Sequence, residues 1–467
     1  MNIRLLIDFG STFTKVIAID ILNETIIGRV QVPSTVEVDV TIGLQKAIDK
    51  LREETGIKDL EDREALACSS AAGGLRMVCI GLVPSLTCEA AVRAALGAGA
   101  KVIGHYSYKM APEELDELEH SLPDMLLLAG GTDGGDENTI LHNAQLLARS
   151  KLEIPIVVAG NKVVRSEVVS TLESSGRYAR STENVMPEID VLNVEPCREI
   201  VRQIFMAHIT KAKGIDKAKR IIKNVLMPTP AAVLNAARLL AEGYEDEKGL
   251  GELMVVDIGG ATSDVHSIAW GHPTGAGATV KGLEEPFVKR TVEGDLGVRY
   301  NAIRLLELVG KAKLMANLPV PFPEDRVVDL INSFHMVIGK LAETEEELSV
   351  EAAMSRVAVG IAVERHAGHL EEMHFPDGTV LIQKGKDLTS LKTVIGTGGP
   401  LIFSPNSKLI LQGALYSQKN PWVLKPKNST FYIDDRYIMY AAGILAEEAP
   451  GVALRIMKRS LKEVGSF

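Results

Sequence analysis

Asp8 closes an apolar run, Leu5-Leu6-Ile7, and is followed by Phe9-Gly10-Ser11-Thr12-Phe13-Thr14-Lys15. A carboxylate at the end of a buried strand is costly unless something pairs with it, and a glycine two residues on lets backbone N–H groups close around an anion. Ser11, Thr12 and Thr14 add hydroxyls and Lys15 adds a point charge, so the segment reads as a phosphate cradle. Asp8 would hold Mg²⁺ there through its water shell. An ordinary hairpin with a capping Asp is the alternative. The pattern returns as Val255-Val256-Asp257-Ile258-Gly259-Gly260-Ala261-Thr262-Ser263-Asp264. At a constant offset of 249, Asp8 matches Asp257, Gly10 matches Gly259, Val16 matches Val265 and Ile19 matches Ile268. Two such turns predict one phosphate–metal site gripped from both sides. Asp257 would complete the metal site or orient an attacking water, and Thr262 would donate to phosphate. Asp264 fits a turn-stabilising role equally well.

Two further glycine turns follow apolar runs. Ile395-Gly396-Thr397-Gly398-Gly399-Pro400 offers flat backbone to an adenosine base and ribose at Gly396, Gly398 and Gly399, where side chains would collide. Ala129-Gly130-Gly131-Thr132-Asp133-Gly134-Gly135-Asp136-Glu137 makes Asp133 a candidate third acidic group near the nucleotide, against a helix-capping role for Asp133 or Asp136.

These residues need elements to hold them. Residues 3–8, 15–20 and 25–32 read as three strands joined by short turns, an antiparallel meander followed by a helix over 42–54. Residues 63–121 read as an inserted α/β subdomain. From residue 124, apolar strands at 125–130 and 154–160 alternate with helical segments at 138–150 and 166–174, the pattern of a parallel sheet, expected as the parallel half of the first one. Residues 195–245 read as helical, and a second meander begins at Leu253. A helical region over 299–317, a Pro-rich break over 318–323, a strand over 392–396 and a last helix from about Tyr437 follow.

The chain has 467 residues, 46% of them hydrophobic and 24% charged, which argues for several domains with a large core. No apolar run reaches the length of a membrane span, the opening residues show no export signal, and the expectation is a cytoplasmic protein without a membrane partner. A net charge of −10 disfavours nucleic acid as a partner. The basic stretch Arg455-Ile456-Met457-Lys458-Arg459 reads as a solvated helix face. Cys68, Cys79, Cys88 and Cys197 lack metal-ligand spacing and read as reduced, buried thiols. His366, His369 and His374 read as ordinary helix or loop residues, since no carboxylates stand at ligand spacing beside them.

Taken in order, the four glycine-bearing segments resemble the actin-like ATPase superfamily. Asp8 to Lys15 resembles its first phosphate motif, Asp257 to Asp264 its second, and Thr393 to Pro400 its adenosine motif. Residues 126–147 resemble its first connecting helix and residues 438–446 its second. The resemblance implies a duplicated actin-like (ribonuclease H-like) α/β fold with two lobes around a nucleotide cleft. It puts 1–62 and 122–245 in the first lobe, 63–121 in an inserted small α/β subdomain and 246–467 in the second lobe. The last helix, near 437–449, would pack back toward the first. ATP and Mg²⁺ are the implied cofactors.

Outside these motifs, Ser69-Ser70-Ala71-Ala72-Gly73-Gly74-Leu75-Arg76-Met77, Gly81-Leu82-Val83-Pro84-Ser85-Leu86-Thr87 and Val292-Glu293-Gly294-Asp295-Leu296-Gly297-Val298-Arg299-Tyr300 resemble the accessory protein family of methylaspartate (glutamate) mutase. That resemblance implies a chaperone-like reactivating ATPase. Its partners would be the subunits of an adenosylcobalamin-dependent mutase, from which it promotes release of damaged cobalamin. The corrinoid itself should sit on the partner, because no Asp-x-His-x-x-Gly pattern is present. A small-molecule kinase of the same fold, with Asp133 as general base, is the alternative. A filament-forming ATPase and an electron-feeding activator fit less well, the latter because its cluster needs cysteines at another spacing.

Overall fold

The structure, a computed structural model, describes residues 2–35, 38–70, 75–205, 224–275, 278–375 and 378–467. The part 71–74 of the first accessory-family segment and the stretch 206–223 of the expected helical region lie outside them. The opening apolar run forms β1 (Ile3–Phe9), which pairs antiparallel with β2 (Phe13–Asp20), and β2 pairs in turn with β3 (Thr25–Pro33). Helix α1 (Val40–Thr55) starts at Asp39, whose side chain accepts from the Thr41 N–H, and ends at Gly56 in a left-handed conformation. It buries Leu44, Ile48 and Leu51 in a core shared with Leu5, Ile7 and Val16 of the sheet. β4 (Glu64–Ser69) then pairs with β1 in parallel.

The chain next builds a separate unit from β5 (Arg76–Gly81), α2 (Glu89–Gly97), β6 (Lys101–Ser107), α3 (Pro112–His120), β7 (Met125–Leu128), α4 (Asn138–Ala148), β8 (Ile156–Val158), α5 (Arg165–Ser174), β9 (Ala179–Ser181) and α6 (Glu195–Ile204). Its five strands are all parallel, in the order β6-β5-β7-β8-β9, and form no hydrogen bonds to the first sheet. Two expectations are corrected here. The strands at 125–128 and 156–158 belong to this second sheet rather than to the first, and Glu64–Ser69 belongs to the first sheet rather than to the insertion. The physical reason is that parallel strands covered on both faces read as uniform apolar runs, so periodicity cannot say which sheet they join.

The first sheet is completed only by β10 (Asn224–Pro228), parallel to β4. Helix α7 (Thr229–Glu242) leaves it toward the second half, so the first connecting helix is α7 and not the expected 126–147. A ribbon of β11 (Gly243–Tyr244) and β12 (Glu247–Lys248) leads into β13 (Leu253–Ile258) and β14 (Ser263–Ile268), and after β15 (Ala278–Val280) into β16 (Val288–Glu293). Four helices follow: α8 (Ala302–Val309), α9 (Lys311–Met315), α10 (Glu324–Met336) and α11 (Glu345–His366). β17 (His369–Phe375) and β18 (Gly378–Lys384) join β15 in a small sheet. β19 (Thr393–Thr397), α12 (Gly399–Ile402), α13 (Ser407–Leu411), β20 (Thr430–Asp434), α14 (Met439–Leu445), α15 (Pro450–Ser460) and β21 (Leu461–Ser466) complete the chain. The single last helix expected from Tyr437 is thus two helices and an edge strand.

The first sheet runs β3-β2-β1-β4-β10, and the second half repeats that order as β16-β14-β13-β19-β20, with β21 added at the edge. The sequence duplication is a duplication of a whole sheet. Residues of α7, α14 and α15 share one core with Leu6 and Leu66 of the first sheet and Val255 and Ile395 of the second. At its centre α14 lies across α7: a Cβ on Gly443 would stand 1.8 Å from the Ala232 carbonyl oxygen, so only glycine fits.

All four cysteines are free and buried. The C-terminal cations are ion-paired rather than merely solvated, Arg455 and Arg459 to Glu24 and Lys458 to Glu247. The three histidines do not converge. His369 lies beside Glu371 and His374 beside Thr379, while His366 is buried, its Nδ1 against Thr291 and its Nε2 against Ser267. Beside it, the fully buried Lys386 donates to the Ser267 hydroxyl and to the Phe287 carbonyl at 3.1 and 2.9 Å.

Candidate functional site

The C-terminal ends of β1 and β13 open on a cavity of about 370 Å³ between the two sheets, lined from both halves of the chain. On the first wall, strand alternation aims Asp8 and its cross-strand partner Lys15 into the cleft. Lys15 Nζ donates to Asp8 Oδ2 at 2.9 Å, and the Thr229 hydroxyl donates to Oδ1 at 2.6 Å. Thr229 opens α7, so the N-terminus of a 14-residue helix faces the carboxylate pair. The Lys15 ammonium lies 4.3 Å from the Tyr437 ring centre and 5.1 Å from that of Tyr440. Burial works to lower its pKa, but Asp8 and the two tyrosines together hold it well above the ordinary value. In the turn, the Gly10 N–H donates to Phe13 O at 3.1 Å, and a Cβ on Gly10 would stand 2.6 Å from that oxygen. Glycine is what lets the turn close, leaving Ser11 and Thr12 on the cleft.

The second wall copies the first with different charges. Asp257 is paired across the strands with Asp264, where the first hairpin sets Asp8 opposite Lys15. Gly259 N–H donates to Thr262 O at 2.9 Å, the counterpart of the Gly10 bond, and Gly260 approaches the Thr12 hydroxyl of the opposite turn. Asp264 is committed: Arg290 donates to its Oδ1 from Nε and Nη2 at 2.8 and 2.6 Å, and the Thr262 hydroxyl donates to its Oδ2 at 3.0 Å. Asp257 is not. Among the described residues nothing donates a hydrogen bond to its carboxylate. Burial, with Asp264, Asp8 and Asp434 adding and Lys15 opposing, pushes its pKa up to about 7. The turn at 398–399 closes over it: Gly398, at φ +94°, leaves no room for a side chain, since a Cβ there would stand 2.7 Å from Asp257 Oδ1.

Of the residues singled out in the sequence, Asp8, Gly10, Ser11, Thr12, Lys15, Asp257, Gly259, Gly260, Thr262 and Gly399 line this cavity, and Gly398 adjoins it. Three do not. Thr14 points to the opposite face of β2, toward Gly43 of α1, with its hydroxyl buried and unpartnered. Gly396 faces inward, where a Cβ would meet Ile433, Leu411 and Leu401. Asp133 sits after β7, in the inserted unit. Despite partial burial, Asn184 Nδ2 and the Lys162 N–H hold its carboxyl below the usual range, and it is no part of the cleft. The neighbouring Asp136 caps α4 through the Thr139 N–H at 2.9 Å.

Sequence reasoning missed Thr229, Pro230 and Arg299 in the lining, and Asp434 and Arg290 among the residues that support it. Thr229 and Pro230 stand in Met227-Pro228-Thr229-Pro230, whose signal was a strand running into a helix just before the second hairpin. Arg299 is ion-paired to Glu351 beneath the second turn and donates to the Lys340 carbonyl, carrying residues 338–343 to the cleft rim. Asp434 caps α14 through the Ile438 and Met439 N–H groups at 2.9 and 3.0 Å and takes the Thr397 hydroxyl at 3.1 Å. Arg290 was hidden in Val288-Lys289-Arg290-Thr291-Val292-Glu293, which reads as an ordinary half-exposed strand.

Two sheets of one strand order, each bringing an Asp-x-Gly hairpin to a common cleft, define a duplicated actin-like (ribonuclease H-like) α/β protein. The family of MutL proteins matches residues 4–461, and Protein MutL of Clostridium tetanomorphum is 51% identical over 469 residues, covering 99% of this chain and 100% of the relative. The chain belongs to the MutL protein family. Similar solved structures include the xylulose kinase of Lactobacillus acidophilus, at 10% identity, 99% and 93% coverage of the two chains and a TM-score of 0.36. The ethanolamine utilization protein EutJ of Carboxydothermus hydrogenoformans is another, at 10% identity, 97% and 89% coverage and a TM-score of 0.25. No helix among the described residues is long and apolar enough to cross a membrane.

Proposed function

We propose that the protein is an ATP-dependent, cytoplasmic accessory factor that reactivates an adenosylcobalamin-dependent mutase, of the glutamate mutase or related aminomutase type, by promoting release of damaged cobalamin. The observation that carries the nucleotide part is the pair of matched hairpins, with Asp8 and Asp257 on opposite walls of one cleft. Family membership, with the resemblance of 69–77, 81–87 and 292–300 to the mutase accessory proteins, supports the client.

The donor set suits a magnesium nucleotide. Asp257 is an unpartnered carboxylate beside a second one, and the turns at Gly10, Gly259, Gly260 and Gly398 are stripped of side chains where an anion must approach. The α7 N-terminus adds the favourable end of a helix dipole. Among the described residues no group of three His, Cys, Asp or Glu is placed to ligate an ion directly. Asp8 and Asp257 would accordingly hold Mg²⁺ through its water shell, and bound there it neutralises phosphate charge. Gly10, Ser11, Thr12 and Lys15 grip the phosphates from one side and Gly259, Gly260 and Thr262 from the other, while Gly398 and Gly399 give flat backbone to the adenosine. Asp257, with its pKa pushed up to about 7, is matched to accepting a proton at its carboxylate from a water attacking the terminal phosphate.

Opening and closing of a two-walled cleft can do work on a partner only through differential affinity. A mutase held closed by damaged cofactor opens if this protein binds the open form more tightly in one nucleotide state than in the other. The test mixes the purified protein, ATP and Mg²⁺ with a candidate mutase loaded with hydroxocobalamin and follows corrinoid release. ATP-dependent release is expected. Its absence from every candidate, together with rapid phosphorylation of a small metabolite, would replace this reading with a kinase.

A further inference from the structure

Arg290, buried in β16, has two sets of partners on two different units. Its Nε and Nη2 donate to Asp264 Oδ1 on the cleft wall, while its Nη1 donates to the carbonyls of Leu96 and Ala100 at 3.0 and 2.7 Å, where α2 of the inserted unit ends. One planar guanidinium thus spends its donors on a cleft carboxylate and on the negative pole of a helix. A few residues along, the same stretch touches the other wall. Gly99, at φ +90°, lies so close to the start of α7 that a Cβ would stand 2.9 Å from Pro228 Cβ and 3.0 Å from Ala231 Cβ. Thr229, which follows Pro228 directly, carries the hydroxyl bonded to Asp8. Arg93 of α2 reinforces the seat through the Glu284 carbonyl at 2.7 Å and the Glu285 carboxylate at 3.2 Å. Residues 96–100 therefore lie behind both carboxylate walls at once.

We propose that Arg290 is a positioning residue that fixes Asp264 at the cleft wall and ties that position to the inserted unit, so that nucleoside triphosphate binding in the cleft and the seating of α2 are one coupled equilibrium. The proposal rests on the nucleotide reading of the cleft and adds where its state is transmitted. Any shift of β14 that accommodates phosphate moves the Asp264 carboxylate, and Arg290 cannot follow without lengthening its bonds to Leu96 and Ala100. Coupling of this kind is reciprocal, so seating of the inserted unit alters nucleotide affinity by the same factor.

The experiment is hydrogen exchange over residues 89–107 in the full-length protein, with and without a non-hydrolysable ATP analogue and Mg²⁺ at saturation, alongside calorimetric nucleotide affinity. Wild type is expected to exchange about tenfold more slowly or faster in this segment when nucleotide is bound. Arg290→Lys keeps a charge beside Asp264 but cannot fork to two carbonyls. It is expected still to saturate with nucleotide, at an affinity that shifts with the lost coupling, while losing most of the exchange response. Because Arg290→Met alone strands a buried carboxylate, the double variant Arg290→Met/Asp264→Asn removes both charges together and is expected to show no response. Failure of wild type to bind nucleotide would overturn the nucleotide reading itself. Binding without any exchange response at 89–107, or a full response in Arg290→Lys or the double variant, would overturn the coupling alone.

Discussion

Lys386 gives a quantitative check on the second half of the fold. Its side chain is fully buried, and burial, helped by Lys289 and opposed by Glu285 and Glu252, brings its pKa from the ordinary 10.5 down to about 7. The folded state binds this proton less readily than the unfolded chain, so stability rises with pH between about 7 and 10.5 and the cost is greatest below that window. At about 1.4 kcal/mol for each tenfold change, the lysine costs roughly 4 to 5 kcal/mol below pH 7 and about 2 kcal/mol at pH 9. Lys386→Met removes that cost together with one hydrogen bond to the Ser267 hydroxyl and one to the Phe287 carbonyl, which keep His366 Nε2 and the Ala269 N–H as partners, a pH-independent loss of about 1 kcal/mol each. The variant is expected to exceed wild type by about 2 to 3 kcal/mol at pH 7, with the gap closing by about 2 kcal/mol at pH 9. Urea unfolding followed by tryptophan fluorescence is the assay, since the only two tryptophans, Trp270 and Trp422, both lie in this half. A gap that stays constant from pH 7 to 9, or widens, would refute a lysine buried near neutrality.

Other expectations concern the cleft and its pivot. Asp8→Ala and Asp257→Ala each abolish Mg²⁺-dependent ATP turnover with circular dichroism unchanged; wild-type turnover in either would show that the carboxylates are not part of the machinery. Turnover in wild type rises with pH as Asp257 ionises, with a midpoint at or below about 7 once Mg²⁺ favours the charged form, and a pH–rate profile without that rise would remove Asp257 as proton acceptor. Thr229→Val takes a 2.6 Å hydrogen bond from Asp8 and weakens Mg²⁺–nucleotide affinity about tenfold by calorimetry, equivalent to roughly 1.4 kcal/mol. Gly443→Ala forces α14 off α7 and costs about 1 to 3 kcal/mol in urea unfolding; a neutral result would mean that the helices yield at that point.

Much of this architecture could be read from residues alone, and the failures share a cause. The two meanders were legible because short turns join strands whose order is forced by proximity. The register of Asp8 and Asp257 followed because a repeat at constant offset preserves which face each residue occupies. Nothing local distinguishes Met125–Leu128 from a strand of the first sheet, since both are apolar runs followed by glycine, and Asp133 was carried into the cleft with it. Thr14 and Gly396 failed for a smaller reason: Thr14 takes the alternate face of a strand whose Lys15 lines the cleft, and Gly396 lies back in β19, ahead of the Gly399-Pro400 turn that reaches the cavity. Thr229 and Arg290 are contributed by elements distant in sequence from the residues they hold, and only the tertiary arrangement brings them there.

The inserted unit leaves the first sheet after β4 and returns in β10, the strand hydrogen-bonded beside it, with Ser69 opposite Pro228. During synthesis the ribosome must therefore deliver the entire insertion before the strand that completes the first sheet exists. Until then one side of β4 presents unsatisfied backbone groups, an open edge that invites pairing with other chains. Assembly of the cleft's first wall is a late event for the same reason, because the threonine that holds Asp8 arrives with α7. Expression of the chain truncated before residue 224 should thus yield an aggregation-prone first sheet, while the doubly wound unit it carries has its own strands in sequence and can close early.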